Sequence, residues 1–255
     1  MSADTGAVRV PAVVAASGPD AWRRDRRFFT GMALAAMLTV FAGFAPSYYL
    51  KAVMGRPSVS GLQTLPPLLH LHGFAFTSWI VLFLVQARLV ATRRIGVHRR
   101  LGYAAVILAA AMVVVGSAAA IDSARRGASP PGGPPPLVFL AIPFADMVVF
   151  AMLVGAGVWF RGRADVHKRL MLTSTISILT PAIARLPGIL AAGPLAFFAL
   201  TDLFVVACLV YDKVTRGRVH PAFWWGGGML LVSQIGRLAI SGTAVWLAFA
   251  TWLTR

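Results

Sequence analysis

The sequence predicts an all-α, polytopic transmembrane helical bundle of seven spans, built as one lead helix plus three diverged helical hairpins. Three observations carry that prediction. Apolar runs of bilayer length, about 20 residues each, recur along nearly the whole chain. Hydrophobic residues make up 58% of the 255 positions and charged residues only 13%, with a mean hydropathy of +0.76; a soluble domain carries roughly a quarter charged residues. The basic residues gather in short segments between the apolar runs.

The spans fall at 28–50, 67–91, 101–121, 136–160, 169–186, 190–211 and 221–252. The fifth is short and contains Pro181, so a kink is expected there. Residues 1–27 are Ala/Val/Ser/Pro-rich and end in "WRRDRRFF", which reads as a disordered basic cytoplasmic tail ahead of one seven-helix domain over 28–255. The long run after those arginines fits an uncleaved first helix. The segments after spans two, four and six hold Arg93, Arg94, Arg99 and Arg100, then Arg161, Arg163, Lys168 and Arg169, then Lys213, Arg216 and Arg218. The positive-inside rule places that side in the cytoplasm, giving N-in and C-out. The opposite connections are Pro/Gly-rich, and "GASPPGGPPP" at 127–136 reads as a non-helical connector. Trp79, Trp159, Trp224 and Trp225 lie near predicted span ends, as an interfacial belt requires.

Net charge is +16, from 24 Lys+Arg against eight acids, all of them Asp. A soluble chain of that balance would suggest nucleic acid. Gathered mostly in short interhelical loops, it points to the lipid bilayer and to anionic lipids as partners, and to no nucleic acid. The lone Cys208 excludes an intrachain disulfide framework and any multi-cysteine metal site.

A repeat underlies the loops. Arg94 to His98, Arg163 to His167 and Arg216 to His220 all read Arg-x-x-Val-His, each closing a basic loop and opening the next span. Thr77 and Asp146 both stand 21 residues before the following motif histidine, and Asp202 stands 18 before His220. Parallel hairpins would place the three histidines at one depth. Histidines from separate helices suit a three-histidine metal site (Zn, Cu or Fe) or axial ligation of haem. The competing explanation is that each imidazole only caps a helix start or meets lipid phosphate at a basic interface.

A second group lies inside the spans. Ionisable residues cost about 2.5–3.5 kcal/mol at a bilayer centre, so each needs a reason. At ~1.5 Å per residue, His72, Asp146, Asp202, Arg185 and Arg237 all fall in the outer half of the membrane. They read either as two buried Asp–Arg pairs that hold helices together, or as an intramembrane polar pocket. In that pocket the arginines would hold an anionic or carbonyl-bearing ligand and His72 would titrate or ligate. His70 and His72 are about 200° apart on a helix, so only one faces the bundle; the deeper His72 is favoured. Gln86 and Gln234 are available for hydrogen bonds between helices.

"VHKRLMLTS" at 166–174 resembles a motif of small four-helix bacterial membrane proteins tied to cytochrome oxidase assembly, and "HRRLG" at 98–102 is similar to one in a related group of bacterial membrane proteins. The wider pattern, "HLHGFAF" (70–76), "PAIARLP" (181–187) and "RVHPAFWWGG" (218–227), resembles an uncharacterised proteobacterial seven-span family. The resemblance covers most of 66–228. It implies a bacterial cytoplasmic (inner) membrane location and a link to respiratory haem or copper chemistry. This chain has more spans than the assembly proteins and a different set of histidines.

Several classes drop out. A retinal protein needs a Lys in its last span, a seven-span zinc hydrolase needs paired histidines there, and 221–252 has neither. A carboxylate-bridged di-iron centre uses several Glu, and the chain has none. No phosphate-binding loop or nucleophilic triad is apparent, and one Cys does not hold an iron–sulfur cluster. The leading expectation is a membrane protein binding haem or a transition metal for respiratory redox chemistry or its assembly, with His98, His167, His220 and His72 as candidate ligands. The alternatives are a small carrier or binding protein using Asp146, Asp202, Arg185 and Arg237, or a structural accessory subunit of a respiratory or photosynthetic membrane complex.

Overall fold

A computed structural model describes residues 19–54 and 65–255, and every described element is helical. Helix α1 runs Pro19–Phe44 and widens into a π-helical turn, Ala45–Tyr49, before the short α2, Lys51–Met54. Helices α3 (Pro67–Ala91) and α4 (Ile95–Arg125) form the first hairpin. A single turn α5 (Pro136–Phe139) leads into α6 (Ala141–Trp159), which pairs with α7 (Ala164–Ser177), and the short α8 (Thr180–Ala184) after it packs on α1 and the next helix. The last hairpin is α9 (Pro194–Arg216) and α10 (Pro221–Ile240), followed by α11 (Ala244–Leu253).

Five helices are long and apolar enough to cross a membrane: α1 with its π-turn, α3, α4, α5–α6 and α9. A sixth span exists if α10 and α11 count as one, but the two are bent by 95°. They fit a multi-pass membrane protein. The sequence had suggested seven, and the two differences have local causes. In the fifth predicted span the chain leaves the helix at Ser177, four residues before Pro181. The proline ring would clash with that carbonyl, and Pro181 has no N–H to bond it, so the helix stops and restarts with Pro181 in its first turn. Helix α7 is therefore 14 residues long, about 21 Å, against a hydrocarbon core of about 30 Å. In the seventh, Ser241–Thr243 breaks the run, and the Thr243 hydroxyl caps the new helix by accepting from the Trp246 N–H at 3.3 Å.

Two further expectations change. The tail predicted over 1–27 is helical from Pro19 onward, with Asp20 placed favourably in the first turn; residues 1–18 lie outside the described residues. Trp79, assigned to an interfacial belt, is 2% exposed and packs edge-on against Phe150 at 5.1 Å, whereas Trp159, Trp224 and Trp225 are well exposed.

Helix α7 is the central column. It packs against α6 and α10, with α1 and α9 also in contact, and Leu172 and Ile176 are fully buried. Its hydroxyls survive burial by bonding back along the helix: Thr173 to the Arg169 carbonyl, Ser174 and Thr175 to that of Met171, and Ser177 to that of Ser174. Gly43 of α1 lies so close to α8 that a Cβ there would sit 2.1 Å from the Ala182 carbonyl oxygen. That contact seats the upper half of α1 on the short helix after the break.

Candidate functional site

The three Arg-x-x-Val-His segments do not end up equivalent. Arg94 and Arg163 are the N-cap residues of α4 and α7, which puts His98 and His167 at the same place in the first turn of each. In the third copy Pro221 follows His220, and proline is tolerated only in a first turn, so α10 begins after the histidine. His220 becomes the N-cap: its Nδ1 accepts from the Ala222 N–H at 3.1 Å, and its Nε2 donates to Asp165 at 2.9 Å. His98 and His167 lie side by side, ring centroids 6.3 Å apart and nearly perpendicular. His167 Nδ1 donates to the Gly157 carbonyl at 2.8 Å. With its amide turned to satisfy both ends, Gln86 donates to His98 Nδ1 at 2.8 Å and accepts from the Gly102 N–H at 3.1 Å. No group of three or more His, Cys, Asp or Glu side chains converges among the described residues.

The basic end carries ion pairs that the histidine pattern did not signal. Arg169 of α7 and Asp212 of α9 are both fully buried and form a two-pronged contact, Nη2 to Oδ1 at 2.5 Å and Nε to Oδ2 at 2.9 Å. Asp212 also accepts the His220 backbone N–H at 3.0 Å, so it ties down the α9–α10 turn. Asp25 of α1 is met by Lys168, Tyr211 and Arg216. Hints were present: Asp212 and Arg216 are an i,i+4 pair, and Asp165 and Arg169 flank His167 in "RADVHKR". Asp25 was hidden by its place in a segment that reads as tail.

At the opposite end the polar residues divide into two groups. Arg237 of α10 pairs with Asp146 of α6, both buried, and Arg237 also donates to the Ile142 carbonyl at 3.1 Å and to the Ser233 hydroxyl at 2.9 Å. Asp202 stands apart with Gln234, whose amide donates to it at 3.0 Å. The second Asp146 oxygen, Oδ2, is buried without a hydrogen-bond partner.

Asp146 also lines a cavity of about 290 Å³, together with His72, Arg185, Tyr49, Thr77 and Thr180. His72 stacks on Phe76 at 4.1 Å, and its Nδ1 is a second buried atom without a partner. Arg185 donates to the Pro181 carbonyl at 2.6 Å and lies 4.4 Å over the Phe44 ring, and among the described residues no carboxylate pairs with it. Tyr49 and Thr77 share a hydrogen bond of 2.7 Å. Apolar lining comes from Phe44, Phe76, Phe197, Ile80 and Ile178. His70 points elsewhere: it is exposed, 6.1 Å from the Tyr48 ring, in keeping with its angle to His72. Tyr49 and Thr180 escaped notice in the sequence because hydroxyls inside apolar helices are ordinary, and Thr77 was marked only for its spacing to His98.

The cavity is thus mostly apolar, and among the described residues its lining includes an arginine with no carboxylate partner, a histidine and an aspartate. Such a site suits a small molecule with an apolar body and a few polar atoms, since ligand pockets are generally lined this way. Comparison with family models, with curated proteins and with solved structures gave no match to this chain.

Proposed function

We propose that the protein is a small-molecule carrier or binding protein of the membrane, seven-span and N-in/C-out, whose ligand occupies the cavity between α1, α3, α6 and α8. The observation that carries this reading is that Arg185, His72 and Asp146 line one cavity while His72 Nδ1 and Asp146 Oδ2 are buried without a hydrogen-bond partner. Leaving such atoms unbonded costs about 1–3 kcal/mol each, and a bound polar group would recover that. Arg185 can only donate, and an ionised Asp146 can only accept. The ligand therefore brings a carboxylate or carbonyl oxygen for Arg185, together with an O–H or N–H for Asp146.

The test is a thermal-shift screen of the detergent-purified protein with small carboxylic acids, hydroxy and amino acids and neutral carbonyl compounds. A stabilising ligand that loses its effect in Arg185→Gln, but keeps it in His98→Ala, supports the site. If every stabilising compound acts equally on wild type and Arg185→Gln, the cavity is not the binding site.

A second reading, transition-metal or haem-iron binding in respiratory redox chemistry, is favoured by the adjacency of His98 and His167. The Gly157 carbonyl fixes the His167 tautomer and leaves its Nε2 available, an arrangement common behind ligating imidazoles. Protein expressed with iron and copper would then show bound metal or a Soret band that disappears in His167→Ala. Metal-free, colourless protein from such cells would count against it.

A further inference from the structure

We propose that a cleft between α1 and α3, at the basic end of the bundle, holds the phosphate of an anionic phospholipid, with the acyl chains lying along the apolar helix faces next to it. The cleft has a volume of about 370 Å³ and is lined by Arg26, Arg27, Arg88, Thr30, Thr92 and Leu34. Three guanidinium groups border it and none of them has a carboxylate partner among the described residues. The acid of the same helix, Asp25, is turned toward α7 and α9 and taken by Lys168, Tyr211 and Arg216. The Thr30 hydroxyl is buried without a hydrogen-bond partner.

Other contacts hold the cleft open and in place. Arg26 donates to the Ala91 carbonyl at 3.3 Å, which fixes α1 against the end of α3. Trp22 lies between Arg26 and Arg93, whose guanidinium carbons stand 4.9 and 4.6 Å from its ring. A Cβ on Gly31, which also lines the cleft, would meet nothing within 4 Å. Planar guanidinium forks match phosphate oxygens, and a hydroxyl supplies one more donor.

A lipid rather than a free ion is indicated by what lies beyond the arginines. Leu34 and Leu38 follow Thr30 at one-turn spacing on α1, and Val85 and Val81 precede Arg88 on the antiparallel α3; all four are exposed. The charged cleft therefore continues into an apolar stripe, the order of groups in a phospholipid. This site is separate from the cavity at the other end and does not depend on it.

Native mass spectrometry of the full detergent-purified chain, titrated in parallel with phosphatidylglycerol, phosphatidylcholine and inorganic phosphate, tests the proposal. The expected result is one phosphatidylglycerol held at least about tenfold more tightly than phosphatidylcholine, because charge-assisted bonds are the strong class. R27Q/R88Q keeps the Arg26–Ala91 contact and is expected to lose that preference. R23Q/R24Q removes the same charge outside the cleft and is expected to keep it. Thr30→Val, which leaves every charge in place, serves as a second variant should R27Q/R88Q not fold, and is expected to weaken phosphatidylglycerol binding a few-fold. Equal loss in the two arginine pairs makes the effect one of net charge and overturns the proposal. Unchanged binding in R27Q/R88Q and Thr30→Val, or inorganic phosphate bound as tightly as lipid, also overturns it.

Discussion

Arg237 of α10 closes on one oxygen of Asp146 in α6, a residue that lines the cavity, while the other oxygen of the same carboxylate stays unbonded. The pair divides one side chain between two tasks, joining helices and presenting an acceptor. Asp146→Leu alone leaves a buried, unpaired guanidinium and is expected to cost about 3–5 kcal/mol in unfolding stability. Asp146→Leu with Arg237→Met removes both charges and should cost much less. Denaturation in detergent of the wild type, Asp146→Leu, Arg237→Met and the double variant, read as a double-mutant cycle, checks this.

Arg169 and Asp212 form the matching lock at the basic end, and here geometry matters as much as charge. Lysine offers no fork, so Arg169→Lys should fail to restore the two-pronged contact and still destabilise the protein by a few kcal/mol, about 2–4. Thermal unfolding of Arg169→Lys and Asp212→Asn, expected to fall together, is the measurement.

Gly43 supplies a steric prediction. Because a Cβ would strike the Ala182 carbonyl, Gly43→Ala should cost about 1–3 kcal/mol or more through displaced backbone. Gly31→Ala, on the same helix with open space around it, should be neutral or slightly stabilising. Equal melting temperatures for the two variants would contradict the packing of α1 on α8.

Asp165 gives a pH dependence. Partial burial raises its carboxyl, but the His220 hydrogen bond and the Val166 backbone N–H outweigh that and hold it below the ordinary 3.8. A depressed carboxylate contributes stability that is complete above its unfolded value and is lost as pH falls through the folded one. The α9–α10 turn should therefore exchange its amides slowly above about pH 4 and loosen below it. Asp165→Asn should remove that acid step, leaving the Asp212 contact to His220 as the remaining tie. Hydrogen exchange of residues 217–224, corrected for intrinsic rates, reports it.

The helical class, five of the seven predicted apolar spans and the existence of polar groups at both ends were legible in the sequence, because apolar length and charge placement respond directly to the bilayer. The break at Ser177 was half legible. Pro181 announced a disturbance, but the carbonyl it displaces lies four residues earlier, and that set the boundary. The apparent equivalence of the three histidines dissolved for a similar reason: one proline at 221 shifts a helix start by several residues and turns His220 from a first-turn residue into a cap. Asp202 and Asp146 stand in like positions of two hairpins, yet only Asp146 finds an arginine, since Asp202 is met by Gln234 instead. Partner choice of that kind depends on how helices rotate against one another, which spacing along a single helix does not encode.

The interruption of the central column has a mechanical consequence. Its two pieces, 14 and 5 residues long, meet at Ile178–Leu179, and Ile178, Thr180 and Pro181 all belong to the cavity lining. The long piece is anchored by Arg169 and Asp212 at one end; the short piece carries Arg185 and rests on Gly43. A load applied at Arg185 therefore acts on a stub joined to the column below by one tight turn, the Leu179 N–H to the Ile176 carbonyl at 3.0 Å, and not by a continuous α-helical ladder.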